Sequence, residues 1–310
     1  MHSFRVITPK NSSHMKAKYL ATLLVLAPAL ALAVIDGAKI ESLTGLKGTL
    51  NATEGVFKVT APRTDIKVNV DGWSMPPFMG LTAWAAFKSG GKAEAMVMGD
   101  LVLLQDEVNP VISVALDSGL EVTALHNHFF YDDPKVYFMH LGGEGSVEQL
   151  ARAVKATQDK IREIRAANPA PAKMFGPGFA PTGSNITVAP LEASLGAKAA
   201  AAKDGMVKFV FGRTGRMACG CEVGKEMGVN TWAAFAGTDD SALVDGDFCV
   251  LEIELQTVLK TLRAGSINVV AIHHHMTMEE PRYLFIHYWG KGTAAQLATA
   301  IRSALDTQAR

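Results

Sequence analysis

Apolar positions along this chain follow two periods, one of strands and one of helices, and the pair is written out twice. Gly55-Val-Phe-Lys-Val-Thr60 and Thr64-Asp-Ile-Lys-Val-Asn-Val70 alternate at every second residue, as half-buried strands do. Ahead of them, Val34 to Gly48 reads as a short amphipathic helix with Ile35, Ile40, Leu43 and Leu46 on its apolar side and Gly48 at its end. Residues 73–80, with Pro76-Pro77, form a loop. Thr82-Ala-Trp-Ala-Ala-Phe87 and Ala93 to Leu104 follow as strands on either side of the turn at 89–91. At Glu107 the period lengthens to a helical one: Asn109 serves as cap, Pro110 takes the first helical position, Val111, Val114 and Ala115 form the apolar face, and Gly119 stops it. Glu121 to Phe130 and Lys135 to Leu141 then read as a hairpin. Ser146-Val-Glu-Gln149 is a capping box opening a helix with Val147, Leu150, Val154, Ile161 and Ile164 on one face.

Residues 166–187, with Pro169, Pro171, Pro177 and Pro181, have the composition of a linker, and after them the same order restarts. Leu191 to Lys203 reads as an Ala-rich helix and Met206 to Phe211 as a strand. Thr231-Trp-Ala-Ala-Phe235 repeats the Trp84 strand, Gly246-Asp247 repeats Gly99-Asp100, Glu254 stands for Glu107, and Thr293-Ala-Ala-Gln296 restates the capping box. A match that runs through turns, caps and strands is a duplication. The expected fold is α+β: two similar mixed αβ repeats, 34–165 and 188–310, with antiparallel sheets and helices on one face, related by a pseudo-two-fold.

The N-terminus changes the inventory. Met15-Lys-Ala-Lys18, the apolar run from Tyr19 to Leu30 and Ala31-Leu-Ala33 have the three parts of a secretory leader, so residues 15–33 are expected to be removed, with 1–14 an upstream extension. The apolar run is short for a membrane span and Pro28 interrupts it, so no stable span is expected after cleavage. Taking Arg5, Lys10, Lys16 and Lys18 from 30 basic residues leaves 26 against 30 acidic ones, a mildly acidic chain with no basic run and little to offer nucleic acid. Three cysteines, Cys219, Cys221 and Cys249, are too few for a disulfide scaffold. Cys219-Gly-Cys221 can close a strained ring, bind a soft metal or stay reduced.

The histidines carry the candidate chemistry. Beyond the leader all seven fall in two copies of one pattern, Leu125-His-Asn-His128 with His140 and Ile272-His-His-His275 with His287, at a constant offset of 147 residues. Residues i and i+2 of a strand share a face, which pairs His126 with His128 and His273 with His275 and turns Asn127 and His274 away. The third histidine joins that face if the hairpin loop is odd; a loop of 131–135 would set His140 opposite His126. Neutral imidazoles converging in this way suit a divalent transition metal, zinc first, with copper, nickel and iron also accommodated. Glu107 and Glu254 are the carboxylates expected to complete such sites or to act as catalytic bases; a charge placed near a helix N-terminus explains them equally well. Paired strand histidines also occur as hydrogen-bonded members of a polar pocket. Trp84 and Trp232 read as core anchors. Arg63 and Arg213 read either as anion ligands or as ion-pair partners of an acid such as Asp65, and Met276 and Met278 beside His275 as a hint of copper or, in a chain with thirteen methionines, as gap fillers.

The run Trp84-Ala-Ala-Phe, Gly99-Asp100, Glu107-Val-Asn-Pro110, Leu125-His-Asn-His128, Pro134 and His140, with its second copy through His287-Tyr-Trp-Gly290, resembles the LppY/LpqO family of exported bacterial proteins. The resemblance covers most of the chain after the leader. It implies export to the periplasm or cell exterior and internal duplication, and no particular substrate. Some members are lipoproteins; this sequence departs from them in lacking a cysteine at the expected cleavage site. His274 in place of Asn127, and Thr214-Gly215 in place of Thr64-Asp65, set the second copy apart. Three functions compete: metal sequestration or carriage without turnover, a metal-dependent hydrolase or lyase with a glutamate base acting on a small molecule or envelope component, and a module that binds or senses an organic ligand.

Overall fold

A computed structural model describes residues 35–176 and 181–308, so the expected leader lies outside the described residues. Each half supplies six strands to one antiparallel sheet. The first half gives β1 (Gly48–Asn51), β2 (Val56–Pro62), β3 (Thr82–Ser89), β4 (Ala95–Leu104), β5 (Glu121–His126) and β6 (Val136–Gly145). The second gives β7 (Ala201–Lys203), β8 (Met206–Gly212), β9 (Asn230–Gly237), β10 (Ala242–Leu251), β11 (Asn268–His273) and β12 (Tyr283–Gly292). The order β1-β2-β3-β4-β6-β5-β11-β12-β10-β9-β8-β7 reads the same from either end, with the two halves meeting at β5 and β11. Each half adds a three-stranded sheet that ends in a short strand of the histidine hairpin, Asp132–Asp133 or Glu279–Glu280. The repeats are thus halves of one compact unit.

Helices α1 (Gly37–Thr44), α2 (Gln105–Asp117), α3 (Val147–Ala167), α4 (Val188–Leu195), α5 (Leu255–Ala264) and α6 (Ala294–Asp306) complete the fold. A Cβ on Gly143 of β6 would meet Leu150 of α3, and one on Gly290 of β12 would meet Leu297 of α6. His140 and His287 are three residues away on the same strands, so side chains there point to the opposite face of the sheet from these helices. The strict alternation of β3 and β9 follows from this arrangement: Ala83, Ala85 and Phe87, like Ala233 and Phe235, are buried, while Trp84 and Trp232 are only half-buried. The tryptophans are therefore not core anchors. They lie on the histidine face, with the Lys58 and Lys208 ammonium groups 4.3 and 4.2 Å over their rings.

Several local expectations shift for identifiable reasons. Helix α1 ends at Gly45, whose φ of 72° suits a residue without Cβ, and Gly48 instead begins β1. Of the strand expected at 64–70 only Asn69–Val70 pairs. Helix α2 starts at Gln105 because the Glu107 carboxylate accepts from the Leu104 N–H at 2.8 Å, and Pro110 consequently lies inside the helix. The Ala-rich run after Leu191 is cut by Gly196 (φ 65°), leaving Ala201–Lys203 to pair with β8.

Asn109, freed from capping, joins the halves. Its Oδ1 accepts from Val269 N (2.7 Å) and its Nδ2 donates to Val269 O (3.0 Å). Gln256, the equivalent position of α5, does the same for Val122, accepting from N at 2.9 Å and donating to O at 3.0 Å. Both clamped residues stand where the pairing slips by one, between Val122 and Ala124 and between Val269 and Ala271. Val122 and Val269 keep Leu141 and Tyr288 as register partners, and the reciprocal amides bond their N–H and C=O from the opposite half.

Candidate metal centre

Register decides which side chains converge. Asp100 pairs with both Trp84 and His140, and His140 with Ala124; Asp247 pairs with both Trp232 and His287, and His287 with Ala271. Opposed residues of antiparallel strands share a face, so each half presents Trp, Asp and His in one row. His140 stands opposite Ala124 rather than His126, a shift of two residues that preserves its face. The ring centroids of His126 and His140 are 5.2 Å apart, and those of His126 and His128 5.1 Å. At the junction Leu125 pairs with Ile272, so Ala124 faces His273 and His126 faces Ala271 when that register is continued. His126 and His273 become diagonal neighbours, about 7–8 Å apart in such a ladder. The two clusters are therefore parts of one band across the open face of the sheet.

The second half is the tighter. Asp247 is buried, with His275 Nε2 at 2.9 Å from Oδ2 and His273 Nε2 and His287 Nδ1 at 3.8 and 3.9 Å from Oδ1. One ligand atom each from Asp247, His273 and His287 lies within 4.8 Å of the others, which suits a single cation. Asp247 Oδ1 and His273 Nε2 are buried without hydrogen-bond partners. An orphaned acceptor facing an orphaned imidazole nitrogen is expensive unless something sits between them. His275 is held otherwise: its Nδ1 lies 3.1 Å from Gly228 O, and its ring stacks on Phe285 at 3.5 Å. Burial lowers the His273 pKa below the ordinary 6.5, with the Asp247 charge opposing and His287 assisting, so its neutral, metal-competent form is favoured. His274 turns away, its Nδ1 3.2 Å from Tyr283 O.

In the first half, Asp100 occupies the same position but reaches no histidine within ion-pair distance among the described residues, and its Oδ1 is buried without a partner. Burial raises its pKa, against the pull of His140, His128 and His126. His128 lies flat on Phe138 at 3.4 Å, and burial, helped by His126, lowers its pKa.

Glu107 and Glu254 are engaged elsewhere, which corrects their expected role as bases or ligands. Glu107 is fully buried: Arg63 donates to both its oxygens (2.7 and 2.9 Å), and Arg165 Nε stands at 2.8 Å. Glu254 accepts from both Arg213 nitrogens, from Leu251 N and from Gln308 Nε2. Burial opposes the charges of Arg63 and Arg213, and their carboxylate partners outweigh it, raising both pKa values. The two glutamates thus anchor helix starts to the sheet. The carboxylates that share a row with the histidines, Asp100 by register and Asp247 also by contact, were visible in sequence only as the repeated Gly-Asp pair.

Beside His275, Lys208, Lys225, Asn230 and Trp232 line a cavity of about 500 Å³. Among the described residues no helix is long and apolar enough to cross a membrane.

Comparison with known proteins agrees with the duplication. Residues 38–160 and again 189–307 match the family model described as a domain of unknown function, DUF1259. No curated protein matches. Among solved structures, a trimeric bacterial microcompartment shell protein, PduB, aligns at 12% identity over 84% of this chain and 89% of its own, with a TM-score of 0.21, too low to bear on the fold or function here.

Proposed function

Because this chain belongs, through both halves, to the DUF1259 family, whose description assigns no chemistry, we propose from the site's geometry that it is a protein binding a divalent transition metal through a histidine–aspartate band. The observation that carries this reading is the buried Asp247 with His273 and His287, whose ligand atoms lie within 4.8 Å of one another. Two imidazoles and a carboxylate suit zinc or iron(II) and leave positions for water or a ligand. Here Asp247 replaces His275 in the three-histidine set expected from spacing, and His275 orients the carboxylate. Asp100, His126 and His140 are the corresponding set in the first half. Glu107 and Glu254, the candidate bases, are bonded to Arg63 and Arg213 away from the clusters, which supports sequestration or carriage ahead of turnover. In this reading the protein acts after export, which the leader pattern at 15–33 supports.

A second reading, a metal-dependent hydrolase or lyase, draws on the cavity beside His275, through which a small molecule would approach a metal held by Asp247. Elemental analysis of untagged wild type, His126→Ala and His273→Ala tests the first reading. Wild type is expected to hold zinc or another transition metal and His273→Ala to lose most of it. A wild type with no metal and no tight binding on titration would refute both metal readings, leaving an organic-ligand module whose stabilisation by ligand survives chelators.

A further inference from the structure

Outside the histidine band, the cysteines have no role assigned so far, and they divide sharply. Cys249 is buried on β10, and burial pushes its thiol up to about 12, so it stays protonated and inert. Cys219 and Cys221 are both exposed, at the turn of the hairpin formed by Gly215–Met217 and Glu222–Val223. That turn is fixed by Met217 N–H donating to Cys221 O (2.9 Å) and Gly220 N–H donating to Met217 O (2.8 Å). Gly220 takes a φ of 82°, which a side chain would resist, and the resulting curl brings the Cys221 N–H to 3.4 Å from Cys219 Sγ. The neighbouring Cys221 thiol lowers the Cys219 pKa, with the Cys221 backbone N–H assisting.

The equivalent turn of the first half is Asp71-Gly72, between Val70 and Trp73, with no sulfur. The second half has thus lengthened one hairpin and placed a dithiol on it. The same three-stranded sheet includes Glu279–Glu280, which ends the loop carrying His275, Met276 and the exposed Met278.

We propose that Cys219 and Cys221 form a surface site for a soft monovalent cation, copper(I) by class, built into the hairpin beside the second histidine cluster. Two thiolates two residues apart on a fixed turn can bind one such ion together, and thiolate sulfur selects it over the harder divalent ions suited to an imidazole–carboxylate set. Binding releases the two thiol protons and forms two metal–sulfur bonds, with no change of oxidation state. The site rests on the thiols alone, so it stands or falls separately from the histidine reading.

The test is anaerobic competition on the full, reduced chain, with copper(I) supplied as its coloured bicinchoninate complex. Wild type and His273→Ala are expected to withdraw about one equivalent each, and the Cys219→Ser/Cys221→Ser double variant none. Single serine variants are expected to compete at least tenfold more weakly, and circular dichroism verifies that all variants fold. The proposal is overturned if wild type withdraws no copper, if the double variant withdraws as much as wild type, or if mass analysis after reduction still finds the two cysteines joined.

Discussion

The two halves of the molecule repeat one plan, and their histidine clusters differ in how closely the plan is drawn in. In the second half Asp247 sits within 2.9–3.9 Å of three imidazoles, whereas Asp100 reaches none of its own within ion-pair distance among the described residues. The anchoring of the helix starts differs the other way. Glu107 is held by Arg63 and Arg165 and is fully buried, while the Arg213 that bonds Glu254 is partly exposed. Duplication therefore preserved the register that puts Trp, Asp and His in one row and let the supporting contacts diverge. The first half buries its anchoring carboxylate completely, and the second draws its imidazoles closer around the aspartate.

The largest effect that would sharpen this contrast is in stability. Glu107→Ala leaves Arg63 and Arg165 without their shared carboxylate and is expected to cost about 3–5 kcal/mol in denaturant unfolding. Glu254→Ala is expected to cost less, about 1–3 kcal/mol, because Arg213 is partly exposed and regains water. Equal losses would erase the asymmetry. The Glu254 pKa is lowered: burial opposes, and the bond from Arg213 and the Leu251 N–H prevail. Its contribution is therefore complete above the ordinary value of 4.5 and is lost as pH falls through the lower folded value. In acid titrations Glu254→Gln should flatten the fall in stability below pH 4.5 and leave the profile above it parallel to wild type.

Next in size is metal affinity. Asp247→Asn is expected to weaken binding by about 10–100-fold in calorimetric titration, and Asp100→Asn by much less. The reverse order would place the working site in the first half.

The central strands and the helix stripes were legible in sequence because one face of each is buried, and burial writes a period of two or 3.6 into the chain. The odd-loop condition for His140 and His287 was legible for the same reason. Features set by a single side chain reaching back or across were not. Glu107 reaching Leu104 N moved the start of α2, and Asn109 looked like a cap because its partner, Val269, lies in the other half. Asp100 and Asp247 became candidates only when pairing set them opposite His140 and His287, since register between distant strands leaves no local trace.

The junction supplies a comparison that should come out even. Asn109→Ala and Gln256→Ala each strip two hydrogen bonds from one backbone residue of the opposite half and are expected to cost about 1–3 kcal/mol apiece. A difference of more than about twofold, measured by urea unfolding, would show that the two clamps are not equivalent. Smallest is the lysine cover on the tryptophans. Lys58→Ala and Lys208→Ala should each cost about 0.5–1 kcal/mol, and Lys208→Ala alone should also open the cavity beside His275.

The most direct test of the metal reading is anomalous diffraction at the zinc edge from crystals grown with zinc. The expected result is a peak among Asp247 Oδ1, His273 and His287, stronger than any peak among Asp100, His126 and His140. Crystals with no peak at either cluster, or with the stronger one in the first half, would contradict it.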